Sequence, residues 1–256
     1  MIKFERTEVM NLENAIRGMR NPLNSWDKSD SAWEFVEDPS PINPSDEFRY
    51  VLGENDLALA QKLIKAGSDH RKFLRQIFVS VDITAPLYWW KEYDTYKVAT
   101  VANSCSTMHK IHSKPIEISD FSFDDMMIDF TTGDESLEFK FLYEGHIEDC
   151  EILRRRYIET KDKKYWRALI QLLPESYNQK RTVTLNYETL RNIYGSRRNH
   201  KLDEWSVGFM TWIDSLPYAE ELIKYAYNES AVEIHLGRGR EIETTPKGSY
   251  RPIGRT

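Results

Sequence analysis

The chain is poor in the residues that staple a fold or carry it through a membrane. Two cysteines among 256 residues, Cys105 and Cys150, are too few for a disulfide scaffold or a four-cysteine zinc site. No secretory leader opens the sequence, so a reduced, cytoplasmic setting is expected. No run of about 18 uncharged apolar residues occurs. Even Ile77 to Trp90 is short and carries Asp82, so no membrane-spanning helix is expected. Net positive charge is lacking too: the formal charge is -6 and the pI about 5.6, which argues against duplex nucleic acid as a partner. Phosphate loops of the GxxxxGK[ST] or GxGxxG kind are absent, and GRGR near the end lacks the flanking strand and helix. His109 and His112 stand three apart, a spacing that can put two ligands on one helical face. With no third ligand nearby, no metal site is expected.

What is present is material for a core, 40% hydrophobic and 12% aromatic residues. Met10 to Met19 reads as a helix, and Ser25 to Phe48, with Pro39, Pro41 and Pro44, as a long surface connection. Asn55 stands at an N-cap position, Leu57, Ala60, Leu63 and Ile64 recur at helical spacing, and Gly67 follows the last turn. Phe73 to Ile83 alternates with period two and predicts a strand. Ala85 to Tyr96 opens on Pro86 and carries Leu87, Tyr88, Trp89, Trp90, Tyr93 and Tyr96, a buried helix. Around Thr132, Gly133 and Asp134 the sequence allows either a hairpin or a solvated acidic loop. Leu137 to Thr160 reads as a charged helix on which Arg154, Arg155 and Arg156 form a solvated face. Helices are further expected over Thr184 to Arg198, Leu202 to Trp212 and Tyr218 to Tyr227. The division is an N-terminal helix and Pro-rich connection (1–54), a main domain (55–236) and a flexible tail (237–256).

A helix opening near Thr184 would carry Asn186, Leu190, Ile193 and Arg197 on one stripe, at spacings of four, three and four. An apolar patch between an amide and a guanidinium suits a planar heteroaromatic ring, because asparagine both donates and accepts while arginine donates in a fork. The alternative is that Asn186 caps the helix and Arg197 pairs with a carboxylate. Cys105, in ANSCST, has small polar neighbours that suit a tight turn or a close approach to a ligand.

Leu173-Pro174, Thr184, Asn186, Leu190, Asn192 and Arg197 stand in the register of the C-terminal half of the flavin-dependent thymidylate synthases, and the chain resembles that family. Glu204 falls within one residue of the family's glutamate, and ELIKYAY (Glu221 to Tyr227) is similar to its closing helix. Upstream, Leu63 to Gly67, His70 and Ala85-Pro86 resemble the family's approach to its active site, so the likeness covers about Asn55 to Tyr227. The family's RHRxxSxNExSxR signature is altered. An ungapped alignment from Pro86 sets Thr95, Tyr96 and Lys97 on its first triplet, Thr100 on the first serine, Asn103 on the glutamate, Cys105 on the second serine and Thr107 on the last arginine. A one-residue slip matches Asn103 and Ser106 instead to its asparagine and second serine.

The resemblance implies an α+β fold with a mixed central sheet and packed helices. It implies FAD as cofactor and a uracil nucleotide as partner, with methylene tetrahydrofolate and NADPH if a one-carbon unit is transferred to pyrimidine C5. It implies a homotetramer. Arg197 and Cys105 would be catalytic; Asn186, Asn192 and Lys97 would meet the cofactor; Asn103, Ser106 and Arg197 would meet the substrate. Two alternatives stand beside a methyltransferase: a non-catalytic relative that binds nucleotide or flavin, and a structural or interaction protein whose aromatic run is core.

Overall fold

The structure, a computed structural model, describes residues 2–35, 48–124, 126–129 and 136–227. The hairpin turn residues around Gly133 and the tail after Gly237 lie outside the described residues. The chain opens with β1 (Lys3–Met10) and α1 (Leu12–Met19), so the first 54 residues hold an edge strand of the central sheet as well as a helix. Sequence periodicity misses β1 because a bulge between Glu5 and Glu8, with Arg6 at φ 53°, breaks the alternation. β2 (Ala32–Phe35) and β3 (Phe48–Val51) pair as an antiparallel ribbon inside the stretch expected to be a connection. Its strands are short, and Trp33 contacts Tyr50 across it, with ring centroids 5.8 Å apart.

α2 (Glu54–Lys65) follows, with Gly53 rather than Asn55 at its N-cap. The cap is supplied from outside: the Asp30 carboxylate accepts from the backbone N–H groups of Asn55 (2.8 Å) and Asp56 (3.0 Å). A Cβ at Gly53 would stand 2.2 Å from Asp30 Cγ, so this approach requires glycine. Gly67, at φ 105°, ends the element in the left-handed region as its position suggested. Lys72–Gln76 is a 3-10 turn instead of strand, because the adjacent Phe73 and Leu74 are both buried, which a one-faced strand does not allow. The strand itself, β4 (Phe78–Pro86), buries Val79, Val81, Ile83 and Ala85 and turns Ser80 and Asp82 to the other face. α3 (Leu87–Tyr93) then buries Trp89, Trp90 and Tyr93 as expected.

β5 (Val101–Ser104) is an exposed edge strand. β6 (Met127–Asp129) and β7 (Ser136–Glu138) form the arms of the hairpin. α4 (Phe139–Thr160) packs on α5 (Lys163–Leu172), around a second core of Ile111, Ile116, Phe121, Cys150, Leu169 and Tyr177. Of the three arginines on α4, Arg154 is not solvated. It grips the buried Glu151 through Nε (2.6 Å) and Nη2 (2.8 Å), while Arg155 and Arg156 are exposed. Burial pushes the Cys150 thiol up to about 11, an unreactive cysteine.

β8 (Asn178–Asn186) occupies the start of the stretch expected to be helical. Thr182 to Leu185 alternates, and pairing with β4 on one side and β5 on the other overrides the helical reading. α6 (Tyr187–Arg197) begins only afterwards. A π-helical segment, Glu204–Phe209, runs into α7 (Met210–Asp214), and a second, Ala219–Lys224, closes the described chain. The central sheet has the order β1-β4-β8-β5. The α+β class is as expected; within it all three pairings are antiparallel rather than mixed. The apolar sheet face carries the main core, in which Trp89 stacks on Trp205 at 4.5 Å and on Tyr93 at 5.1 Å.

Residues 20–31 are tied to α2 by one carboxylate. Asp56, with no exposed surface, accepts from Arg20 Nε (2.5 Å), Ser29 Oγ (2.7 Å), Ser31 Oγ (2.7 Å) and the backbone N–H groups of Asp30 (3.2 Å) and Ser31 (3.1 Å). Burial alone would favour the protonated acid, but the bonds from Ser31, Ser29 and Arg20 outweigh it and hold Asp56 below the ordinary carboxylate range. Its contribution to stability is therefore complete above about pH 4 and is lost as pH falls through the depressed folded value. Asp56→Asn should destabilise the fold by about 3–5 kcal/mol in urea unfolding at pH 7, the scale of breaking a buried ion pair. The difference from wild type should narrow in acid.

Candidate functional site

α3 and α6 meet at their C-terminal ends. Pro86 holds an extended conformation that starts α3, and the first turn is fixed by bonds from Leu87 N to Tyr177 O and from Tyr88 N to Glu175 O, both 3.0 Å. One turn beyond α3, Tyr96 N donates to Tyr93 O (2.9 Å), which directs the Tyr96 ring toward α6. In the last turn of α6, Arg197 donates from Nε to Tyr96 Oη (2.9 Å) and from Nη1 to Glu92 Oε2 (2.7 Å). The guanidinium lies 5.7 Å from the Tyr96 ring centroid and 5.2 Å from that of Trp205. His200 Nε2 is 3.3 Å from the same Glu92 oxygen. Two helix C-termini concentrate partial negative charge, which favours a cation between them. Arg197 keeps its Nη2 without a hydrogen-bond partner among the described residues.

The other end of α6 is tied to the same segment of chain. Asn186 is the N-cap: its Oδ1 accepts from Thr189 N (2.9 Å) and Thr189 Oγ1 (3.1 Å), and the residue is buried. Thr189 Oγ1 also donates to Val98 O (3.3 Å). Residues 96–98 therefore run alongside α6, with Lys97 exposed between the two anchors. Ala99 follows at φ 58°, and the buried hydroxyl of Thr100 finds no partner among the described residues. β5 then presents Val101, Ala102, Asn103 and Ser104, all exposed, along the free edge of the sheet. Its backbone continues in fixed form: Cys105 N donates to Lys180 O (2.9 Å) and Gln179 Nε2 donates to Cys105 O (2.7 Å), which leaves the thiol exposed. Ser106 Oγ accepts from Met108 N (3.3 Å) and His109 N (2.8 Å), closing a turn that Trp166 of α5 holds at Met108 O (2.9 Å).

Lys97, Asn103, Cys105 and Ser106 are all exposed, but Asn103 pairs with Thr182, which pairs with Asp82, so it lies on the sheet face opposite the one on which α3, α6 and Arg197 pack. Asn192 is exposed on α6, whereas Asn186 has the capping geometry. The stripe expected between Asn186 and Arg197 is not an open floor, since Leu190 and Ile193 are wholly buried in the main core. Sequence reasoning did not bring in Glu92, Trp205 or His200. The i,i+4 spacing of Glu92 and Tyr96 was a usable signal; the position of Trp205 depends on the tertiary fold. His109 is exposed, His112 packs edge-on against Tyr157 at 4.8 Å, and no group of three potential ligands for a metal forms among the described residues. No helix among them is long and apolar enough to cross a membrane.

Tyr88 donates to Glu204 beneath this site, and burial, followed by the Glu204 carboxylate, raises its hydroxyl well above the usual tyrosine range. Two concavities, of about 760 and 490 Å³, lie elsewhere, around the β2–β3 ribbon.

No family model matches the sequence, and no curated protein matches it. Solved structures do. Thymidylate synthase X from Helicobacter pylori, in a crystal structure with FAD and dUMP, superposes with a TM-score of 0.58 at 15% identity, over 87% of this chain and 97% of that one. A second structure of the flavin-dependent thymidylate synthase from Helicobacter pylori, complexed with FAD and dUMP, gives 0.57 at 15% identity, over 86% and 97%. Across most of its length this chain has the fold of those flavin-dependent thymidylate synthases.

Proposed function

We propose that the chain binds a flavin and a uracil nucleotide on the strip formed by residues 96–106 and α6, as a divergent relative of the flavin-dependent thymidylate synthases. The observation that carries this reading is the state of Arg197: an oriented guanidinium between two aromatic rings, with one nitrogen free to donate to a ring carbonyl. The neighbours of the same fold hold FAD and dUMP. The donor set fits the edge of a uracil or isoalloxazine ring. For phosphate it offers the exposed ammonium of Lys97.

In this reading Arg197 polarises the pyrimidine edge, Ser106 contacts the nucleotide, Lys97 and Asn192 contact the cofactor, and Asn186 positions α6 through its cap. Flavin, when bound, supplies hydride for a one-carbon transfer from methylene tetrahydrofolate to pyrimidine C5, with NADPH as reductant. Cys105 lies in the strip as a candidate catalytic thiol. The same reading carries a homotetramer, in which the exposed β5 edge would be covered by a neighbouring subunit. A second reading, binding without turnover, is favoured by Glu92: it neutralises Arg197, and Thr95 and Tyr96 stand where the resemblance places an arginine and a histidine.

Calorimetric titration of dUMP into the FAD-treated protein tests both. Arg197→Ala should weaken binding by about 1.5–3 kcal/mol, the scale of a charge-assisted hydrogen bond; unchanged affinity would remove Arg197 from the site. Glu92→Gln should tighten dUMP binding several-fold by releasing the guanidinium from a half-exposed ion pair. If Glu92→Gln weakens binding instead, the carboxylate is needed to orient Arg197, and the restraint argued above for the second reading is lost.

A further inference from the structure

The Asp56 cluster leaves one charge incompletely answered. Its carboxylate receives five hydrogen bonds, yet Arg20, only 3% exposed, uses Nε on Asp56 and Nη1 on Ser25 O (3.3 Å) and Ser25 Oγ (3.4 Å), and its Nη2, itself buried, has no partner among the described residues. An unpaired nitrogen on a buried guanidinium is costly, and native structures rarely leave one without a reason. Arg20 lines the cavity of about 490 Å³ beside the β2–β3 ribbon. Arg17, one turn earlier on α1, lines it too; its side chain is exposed, and its longest reach is a 3.4 Å contact to Asn14 Oδ1.

The rest of the wall is aromatic. Trp26 and Trp33 both line the cavity with about half of their surface exposed, and Tyr50 closes its base. Each indole is held by its polar edge, Trp26 Nε1 to Asn21 Oδ1 (2.8 Å) and Trp33 Nε1 to Glu13 Oε2 (3.0 Å), which leaves the ring faces for stacking. The Glu13 carboxylate, the one acidic group in the wall, is thereby engaged at the rim. Ser29 and Ser31 have their hydroxyls committed to Asp56, so the exposed guanidinium of Arg17 is the donor that faces the cavity, with the buried charge of Arg20 behind it.

From this we infer that the cavity between α1 and the β2–β3 ribbon is a second binding site, for a planar aromatic ring that carries an anionic oxygen group, the oxyanion on Arg17 in front of the buried Arg20 charge and the ring against Trp26 and Trp33. Its volume suits a ligand of one or two rings. The oxyanion is a carboxylate or a phosphate; both accept from guanidinium forks, and experiment separates them. The site shares no residue with the strip around Arg197.

Calorimetry on the full chain with 1-naphthyl phosphate, 1-naphthoate, 1-naphthol and inorganic phosphate tests the assignment. The two aromatic anions should bind, the better of them identifying the oxyanion, and naphthol and phosphate should each bind at least tenfold more weakly. Arg17→Gln, at an exposed position that leaves the Asp56 cluster intact, should weaken the aromatic anion about tenfold, and Trp26→Ala should do likewise. Arg197→Ala should leave this binding unchanged, so the outcome is independent of the reading of the first site. Equal binding of naphthol and the aromatic anions, no binding at all, or indifference to both Arg17→Gln and Trp26→Ala would overturn the proposal.

Discussion

The antiparallel pairing of β4 with β8 sets the position of everything at the candidate site. Nine consecutive residue pairs, from Phe78 with Asn186 to Pro86 with Asn178, join the two strands. Each strand runs directly into a helix, so antiparallel pairing launches α3 and α6 from opposite ends of the sheet. Both lie on its apolar face, over Val79, Val81, Val183 and Leu185, and they converge at their C-termini. Glu92, Tyr96 and Arg197 meet for that reason, though about a hundred residues separate them in sequence. A register slip of one residue would turn the apolar face outward and part the helices.

The site that results is rigid where it is buried and open where it would meet a ligand. Arg197 is braced by Trp205, and Trp205 by Trp89 and Phe209, so the guanidinium inherits its orientation from the main core. Beyond it, the β5 strip has its backbone fixed by β8 and its side chains free. Such an arrangement is suited to binding, with little to exclude water from the bound ring. Removing water would fall to a neighbouring subunit or to a second ligand.

Elements that depend on local pattern were legible in the sequence, and those that depend on partners were not. α1, α2, α3 and α4 follow from helical spacing, and the strand from Phe78 onward from its alternation, because each buries one face along its own length. β1 was hidden by its bulge, and the β2–β3 ribbon by short, exposed strands. α5 escaped notice behind the long charged helix before it. The helical reading of Thr184 to Asn186 fails because the alternation of Val183 and Leu185 is brief and only two flanking strands make it a strand. Of the site, Arg197 and the strip Asn103 to Ser106 came from register with a family pattern. Glu92 as partner of Arg197, and the role of Asn186 as a buried cap, came only with the tertiary fold, where the alternative reading of both residues has its geometry.

The likeness to the Helicobacter pylori structures is one of fold, and the altered signature leaves flavin retention as the point on which the functional account turns. The direct measurement is the absorbance spectrum of the purified protein from about 300 to 550 nm, before and after incubation with FAD and removal of the excess; a bound flavin absorbs in this range. The account predicts a flavin band that survives removal of free FAD and is diminished by Arg197→Ala. A protein that shows no flavin band under either condition would contradict it.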